Sequence, residues 1–174
     1  MPSVSDGSDQ TEFAVCAFSA DSRSVSDARR FTRFTLGSWG LEPLIDTVVV
    51  IVSELLANAL RHGRLRTCGS HGSPRPLWVG LLRGETTVLC TVADQSPDIP
   101  VLRRAGSFAQ TGRGLQIIES LSAAWGWTDP NADGKAVWAA VPVAKRAGTP
   151  TKDSHPQTLG CGELLHRDWP KLRE

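Results

Sequence analysis

The spacing of recurring apolar positions along the chain predicts three helices. The first follows an N-cap at Ser22 or Ser24 and ends near the glycines of residues 37–40. The second spans residues 42–63, with a proline in its first turn and a glycine at its end. The third begins just after the glycines of residues 112–114. The stripes that support the first two are Val25, Ala28, Phe31, Thr32, Thr35 and Trp39, and Val48, Val52, Leu55, Leu56 and Ala59.

Short apolar runs predict five strands around these helices. The runs are Glu12 to Phe18, Leu77 to Leu82, Thr86 to Ala93, Ala124 to Thr128 and Lys135 to Val143. The elements follow one another as strand, helix, helix, strand, strand, loop, helix, strand, strand. This order predicts the α+β class, as a two-layer sandwich in which helices pack on one face of a mostly antiparallel sheet.

The same pattern predicts one domain with a tail at each end. We expect the domain over residues 12–143, after a flexible leader of residues 1–11. Residues 144–174 are rich in Pro, Gly and Thr and lack periodicity, so we expect a tail that is at most partly docked. Residues 94–111 form a long loop for so small a domain, and such loops are usually functional or disordered.

Composition and charge exclude several classes of protein. Nineteen Lys+Arg and eighteen Asp+Glu give a net charge of +1, so the chain lacks the basic excess typical of nucleic-acid binding. The longest uninterrupted aliphatic run, residues 48–52, is far shorter than the roughly 20 residues that span a bilayer. The four cysteines form no CxxC pair, which argues against structural zinc and a disulfide scaffold. We therefore expect a cytoplasmic protein with no nucleic-acid or membrane partner.

The second predicted helix carries a polar ridge. Glu54, Asn58 and His62 are spaced four residues apart, and each such step advances about 6 Å and turns only about 40°, so the three side chains share one line. The line borders the apolar stripe and should lie at the edge of the core. A carboxylate there can act as a general base, and an amide oxygen can bind a hard cation such as Mg²⁺. The alternative is a helix with ordinary polar surface residues.

Two further motifs could bind a ligand. Asp94 ends a buried apolar run, where its carboxylate could accept a hydrogen bond from an exocyclic amine of a base; the alternative is an Asp that starts a turn. Thr111-Gly112-Arg113-Gly114-Leu115 opens the third helix. Its glycines permit close approach of a ligand, the free N–H groups of the helix start favour an anion, and the arginine adds charge. The alternative is a flexible hinge.

The order and separation of these motifs resemble the GHKL (Bergerat-fold) ATPase superfamily. The most specific match is SELLANALRHG at residues 53–63, followed by TGRGLQIIESLSAAWGW at residues 111–127 and a Gly-Lys-x-Val-Trp strand at residues 134–138. Within the superfamily, the chain is similar to the small stand-alone anti-sigma-factor serine kinases. The resemblance covers roughly residues 12–143.

The resemblance implies an ATP–Mg²⁺ site. Glu54 corresponds to the general base that activates a serine hydroxyl or water, Asn58 to the Mg²⁺ ligand and Asp94 to the acceptor for the adenine amino group. Residues 95–111 resemble the mobile ATP lid. The implied nucleotide-binding residues are Asn58, His62, Asp94, Thr111, Gly112, Arg113, Gly114 and Leu115.

Three positions depart from the family pattern. Ser96 and Asp98 stand where many members have the glycines of a DxGxG motif, and Asp98 adds negative charge near the place of a polyphosphate. Ala136 follows Gly-Lys where the family often has a threonine that completes the hydrogen bonds to adenine. Each departure removes a feature that favours ATP binding.

Two functions from different classes are consistent with these motifs. The first is an ATP–Mg²⁺-dependent serine/threonine kinase that phosphorylates an anti-anti-sigma (STAS-like) partner, binds a sigma factor and forms a homodimer, as the resemblance implies. The alternative is a non-catalytic nucleotide-binding switch or protein-interaction module that acts on a transcription regulator, and the changes at Ser96, Asp98 and Ala136 favour it.

Overall fold

The computed structural model describes residues 11–63, 75–101, 113–131 and 134–143. Within these ranges a five-stranded antiparallel sheet has the order β1-β2-β3-β5-β4, and three α-helices accompany it. The strands are β1 (Glu12–Phe18), β2 (Leu77–Arg83), β3 (Thr87–Asp94), β4 (Ala124–Trp127) and β5 (Lys135–Pro142), and the helices are α1 (Ser24–Ser38), α2 (Ile45–Gly63) and α3 (Gly114–Leu121). The predicted α+β class is confirmed.

The two faces of the sheet differ in chemistry. Side chains alternate between the faces along each strand, and the register places every second residue of the five strands on one core face. Buried residues of all three helices join this face in one cluster, with Leu36, Ile51 and Ile118 among its fully buried members. The other face carries no charged residue among the paired positions of the five strands.

Ion pairs close the core face at its two ends. Glu12 and Arg83 are direct cross-strand partners at one end, and the Arg83 guanidinium lies 2.7 Å from the glutamate carboxylate. Asp94 and Lys135 are direct partners at the opposite end, where β3 finishes and β5 starts. The second pair lies at the end of the sheet to which the sequence analysis assigns ligand binding.

The start of α1 is capped by a residue that the sequence analysis did not select. Neither Ser22 nor Ser24 caps it, so that prediction was wrong. The Asp21 carboxylate instead accepts hydrogen bonds from the backbone N–H of Arg23 at 2.8 Å and of Ser24 at 3.2 Å. Ser24 lies inside the helix, and its hydroxyl donates to the backbone carbonyl of Ser19. An aspartate two or three residues upstream therefore supplies the acceptor that the first helical N–H groups need.

The second predicted helix divides into two pieces. Glu42–Leu44 form a 3₁₀ turn with a proline in its first positions, and α2 follows from Ile45. By length and mean hydropathy alone, Glu42–His62 could also cross a membrane. In this fold the stretch is a core helix, because α2 packs on the sheet and against both α1 and α3.

Candidate functional site

The polar ridge of α2 lies at the edge of the core, as its spacing predicts. Glu54 and Asn58 are half-buried, because the buried Leu55 and Ala59 beside them pack into the core. His62 lies one turn further along the ridge and is exposed. Two of the three predicted ridge residues thus occupy an environment between core and solvent, where an amide and a carboxylate can meet a ligand.

Gly114 brings the start of α3 directly against this ridge. An ideal Cβ at Gly114 would lie 2.7 Å from Glu54 Oε2 and 3.4 Å from Asn58 Nδ2, so a larger residue would collide with the carboxylate. Leu115 and Ile118 are buried and anchor the short helix to the core. The structure therefore joins Glu54 and Asn58 of the polar ridge to Gly114, which belongs to a separate motif of the sequence.

The start of α3 has the features of an anion site. The first N–H groups of a helix have no partner within the helix, and they carry the positive end of the helix dipole. Arg113 immediately precedes α3 and is exposed, so its guanidinium adds positive charge there. Thr111 and Gly112, the other members of the predicted turn, lie outside the described residues.

Asp94 is buried, and its carboxylate already has partners. Lys135 Nζ donates to Asp94 Oδ1 at 2.8 Å and to Oδ2 at 3.0 Å. The backbone N–H of Ser96 donates to the same Oδ1 at 2.7 Å. The expected acceptor for an adenine amino group is therefore engaged in an ion pair within the protein.

Sequence reasoning did not select Lys135 as a site residue. It noted the Gly-Lys pair of residues 134–135 only as part of a strand motif. The alternation of the strands places both residues on the core face, but only the register of the folded sheet makes them direct neighbours. A buried lysine opposite a buried aspartate is expected to pair with it.

A cavity of about 300 Å³ opens beside Glu54, between α1 and α2. Its lining residues are Arg29, Arg33, Val49, Val50, Ser53 and Glu54. Arg29 Nε donates to the Ser53 hydroxyl at 2.8 Å, and that hydroxyl donates to the Val49 carbonyl at 2.6 Å, so the guanidinium is held on the cavity wall. Neither Asn58 nor Asp94 belongs to this lining.

The oxygen donors of the site suit a cation that is held mainly by a phosphate ligand and only partly by protein side chains. The described residues contain no group of three His, Cys, Asp or Glu side chains that could hold a metal ion. The Asn58 amide oxygen is a hard donor of the kind that Mg²⁺ accepts, and Mg²⁺ often takes one or two protein ligands together with phosphate oxygens and water. The geometry thus fits a cation bound together with a phosphate ligand.

Comparison with known proteins gives a family and a fold. A family model described as the histidine kinase-like ATPase domain matches residues 18–141, a range that contains every site residue described above. No curated protein matches the chain. The solved structure of the RsbU and RsbW domains of Rv1364c from Mycobacterium tuberculosis is 18% identical, with a TM-score of 0.56 over 79% of this chain. This chain spans only 35% of that one, so the likeness concerns the fold.

Proposed function

Since the chain belongs to the family of histidine kinase-like ATPase domains, we propose that it is a cytoplasmic ATP- and Mg²⁺-binding regulator that phosphorylates a serine of a partner protein. One observation carries the proposal: Gly114, the first residue of α3, lies directly against the side chains of Glu54 and Asn58. The contact supports the proposal because it brings a helix start, whose N–H groups suit a phosphate, beside a carboxylate and an amide. Those are the groups that phosphoryl transfer to a hydroxyl needs close together.

Each residue of this contact has a role in the proposed reaction. The Glu54 carboxylate accepts the proton of the serine hydroxyl while the serine oxygen bonds to the γ-phosphorus of ATP, and the bond from that phosphorus to the ADP oxygen breaks. The Asn58 amide oxygen would hold Mg²⁺, and the cation would supply charge neutralisation for the phosphates. Arg113 and the first N–H groups of α3 stabilise the phosphate oxygens.

The cavity beside Glu54 is the proposed approach for the acceptor serine. Arg29 and Arg33 give its wall positive charge, and Val50 on its lining is 40% exposed. A partner segment with acidic and apolar residues around the serine would match this surface. An anti-anti-sigma (STAS-like) protein is the proposed acceptor. A sigma factor as second partner and a homodimer complete the proposal.

The second candidate is a nucleotide-binding switch without catalysis. The Asp94–Lys135 pair favours it, because the acceptor expected to bind adenine is already occupied. Ser96 participates in the same cluster, where its backbone carbonyl accepts from Lys135 Nζ at 3.0 Å. Such a protein would bind ATP weakly and change its affinity for a regulator without transferring phosphate.

The two candidates are separated by phosphate transfer from γ-labelled ATP to a purified STAS-domain protein. We expect transfer by the wild type and its loss in Glu54→Gln, with ATP affinity unchanged within about twofold, because the carboxamide keeps its place against Gly114 but cannot accept the proton. Glu119→Gln is the matched control, since Glu119 is an exposed residue of α3. ATP binding without transfer in the wild type would support the switch, and absence of ATP binding would contradict both candidates.

A further inference from the structure

The Asp94–Lys135 pair is sealed inside the protein. The exposed fraction is 4% for the lysine side chain and 3% for the aspartate side chain. Buried ions are tolerated only when their hydrogen-bonding capacity is met, because removal of an ion from water is unfavourable. The environment of this pair therefore determines what the carboxylate can still bind.

The hydrogen-bonding capacity of the pair is almost exhausted. An ammonium has three donors, and Lys135 Nζ uses them on Asp94 Oδ1, Asp94 Oδ2 and the Ser96 carbonyl oxygen. A carboxylate has about four acceptor positions. Three of them receive hydrogen bonds, two at Oδ1 and one at Oδ2. The fourth lies on Oδ2, which the ammonium also contacts, and the aspartate side chain is only 3% exposed, so a purine amino group could reach the carboxylate only after the ammonium moves.

The backbone fixes the pair in this arrangement. Asp94, the last residue of β3, and Lys135, the first residue of β5, form the terminal pair of the ladder between these strands. Gly134, just before the lysine, has a φ of +110°, and an ideal Cβ there would lie 1.9 Å from the Asp94 backbone oxygen. Only glycine permits this approach of the two strands. The close contact holds the lysine directly opposite the carboxylate, so the pair is a built feature of this end of the sheet.

We propose that Lys135 is the residue that sets the nucleotide affinity and base preference of the site, by competing with the purine 6-amino group for Asp94. This inference rests on the proposed function. In the wild type a 6-amino group has to displace the ammonium from the carboxylate, which weakens ATP binding. A 6-oxo group, as in ITP, can instead accept a hydrogen bond from the displaced ammonium, so the wild type discriminates poorly between the two nucleotides.

Substitution of Lys135 tests the inference. Lys135→Met keeps most of the side-chain volume and leaves the Asp94 carboxylate without its ammonium. The adenine amino group then supplies the missing donor, and the unpaired carboxylate makes that hydrogen bond worth more than in the wild type. We expect roughly tenfold tighter ATP binding, with no gain for ITP, in calorimetric titrations with Mg²⁺.

Control variants separate competition from other effects. Lys135→Arg retains a cation opposite Asp94 and should not show the gain for ATP. In Asp94→Asn/Lys135→Met the gain for ATP should disappear. Lys135→Gln, which keeps a neutral donor, serves if the methionine variant does not fold, and we expect an intermediate gain from it.

The results of these titrations distinguish a failure of the inference from a failure of the proposed function. Equal or weaker ATP binding by folded Lys135→Met and Lys135→Gln, beside measurable binding by the wild type, would overturn the inference and leave the proposed function intact. An equal gain for ATP and ITP would also overturn it, because the amino group would then have no part in the effect. Failure of every variant and of the wild type to bind either nucleotide would overturn the proposed function itself.

Discussion

Gly114 brings the start of α3 into contact with the polar ridge of α2. This contact is possible because glycine has no side chain. Gly114→Ala would place a methyl group 2.7 Å from Glu54 Oε2, so the carboxylate has to move. We expect ATP-dependent transfer to fall about tenfold. The free energy of unfolding should change by less than about 1 kcal/mol, because the better helix propensity of alanine offsets the displacement of a half-buried side chain. Transfer assays and urea unfolding measure the two effects separately.

Gly37 provides the control for this variant. It lies inside α1, and an ideal Cβ there meets no atom within 4 Å. Gly37→Ala should therefore raise the free energy of unfolding by about 0.5–1 kcal/mol and leave transfer unchanged. If both alanine variants retained full transfer, the contact between Gly114 and Glu54 would have no part in catalysis.

Cys90 gives the core face a titratable group that should limit stability in alkali. Burial raises the pKa of its thiol to about 12, so the folded state keeps the proton to a higher pH than the unfolded chain, whose thiol pKa is about 8.5. Its stabilising contribution is complete below about pH 8.5 and is lost as pH rises toward 12, by up to about 1.4 kcal/mol per pH unit.

Urea unfolding between pH 7.5 and 10.5 measures this loss. Cys90→Ala removes the thiol, so its free energy of unfolding should be lower near neutral pH but should fall less steeply above pH 9. Contributions from other groups are common to both proteins and cancel in the difference between the slopes. Parallel curves for the two proteins would contradict the prediction.

The sequence predicted the shared line of the ridge residues because its geometry is local. Glu54 and Asn58 lie one helical turn apart, so their shared line follows from helix geometry alone. Asp94 and Lys135 are 41 residues apart, and their contact depends on which strands are neighbours and in which register. Sequence order alone does not fix that register. The ion pair that alters the expected role of Asp94 was therefore visible only in the fold.

The start of α1 depends on a side chain outside the helix. Asp21→Ala removes the acceptor for two backbone N–H groups and should lower the free energy of unfolding by about 1 kcal/mol. Ser22→Ala, at one of the two serines that the sequence offered as caps, should change the free energy of unfolding by less than about 0.5 kcal/mol, because Ser22 is exposed. Urea unfolding of the two variants measures the difference. A larger loss in Ser22→Ala than in Asp21→Ala would show that the serine caps the helix in solution.

The elements themselves followed from the apolar pattern, with differences of one or a few residues at their ends. β3 extends one residue beyond its predicted end because Asp94 still pairs with Lys135 in the ladder. α3 begins at Gly114 itself, where its packing against α2 sets the start. In both cases a partner from another part of the chain decides the boundary, and local propensity cannot contain that information.

The arrangement of the whole domain explains why the proposed site lies where it does. All three helices pack on the core face, and the strands contribute no charged group to the opposite face. The polar groups of the site come from the ridge of α2, the start of α3 and one end of the core face. The charged residues of the described strands therefore lie only at the two ends of the core face.

The division into a domain of residues 12–143 and flanking tails remains a prediction, and truncation tests it. The described parts of residues 11–143 contain the core cluster, the two ion pairs of the core face and the described site residues. A fragment of residues 11–143 should therefore unfold cooperatively, with a free energy within about 1 kcal/mol of that of the full chain. Its ATP affinity should match that of the full chain within about twofold.

A shorter fragment ending at residue 134 is the control. It lacks β5, which pairs with both β3 and β4 and contributes the buried Val137 and Ala139 to the core. Losing this strand also leaves Asp94 without its ammonium, so we expect a chain with no cooperative unfolding transition. If the fragment of residues 11–143 lost more than about 2 kcal/mol, or lost ATP binding that the full chain retains, residues outside 12–143 would belong to the functional domain.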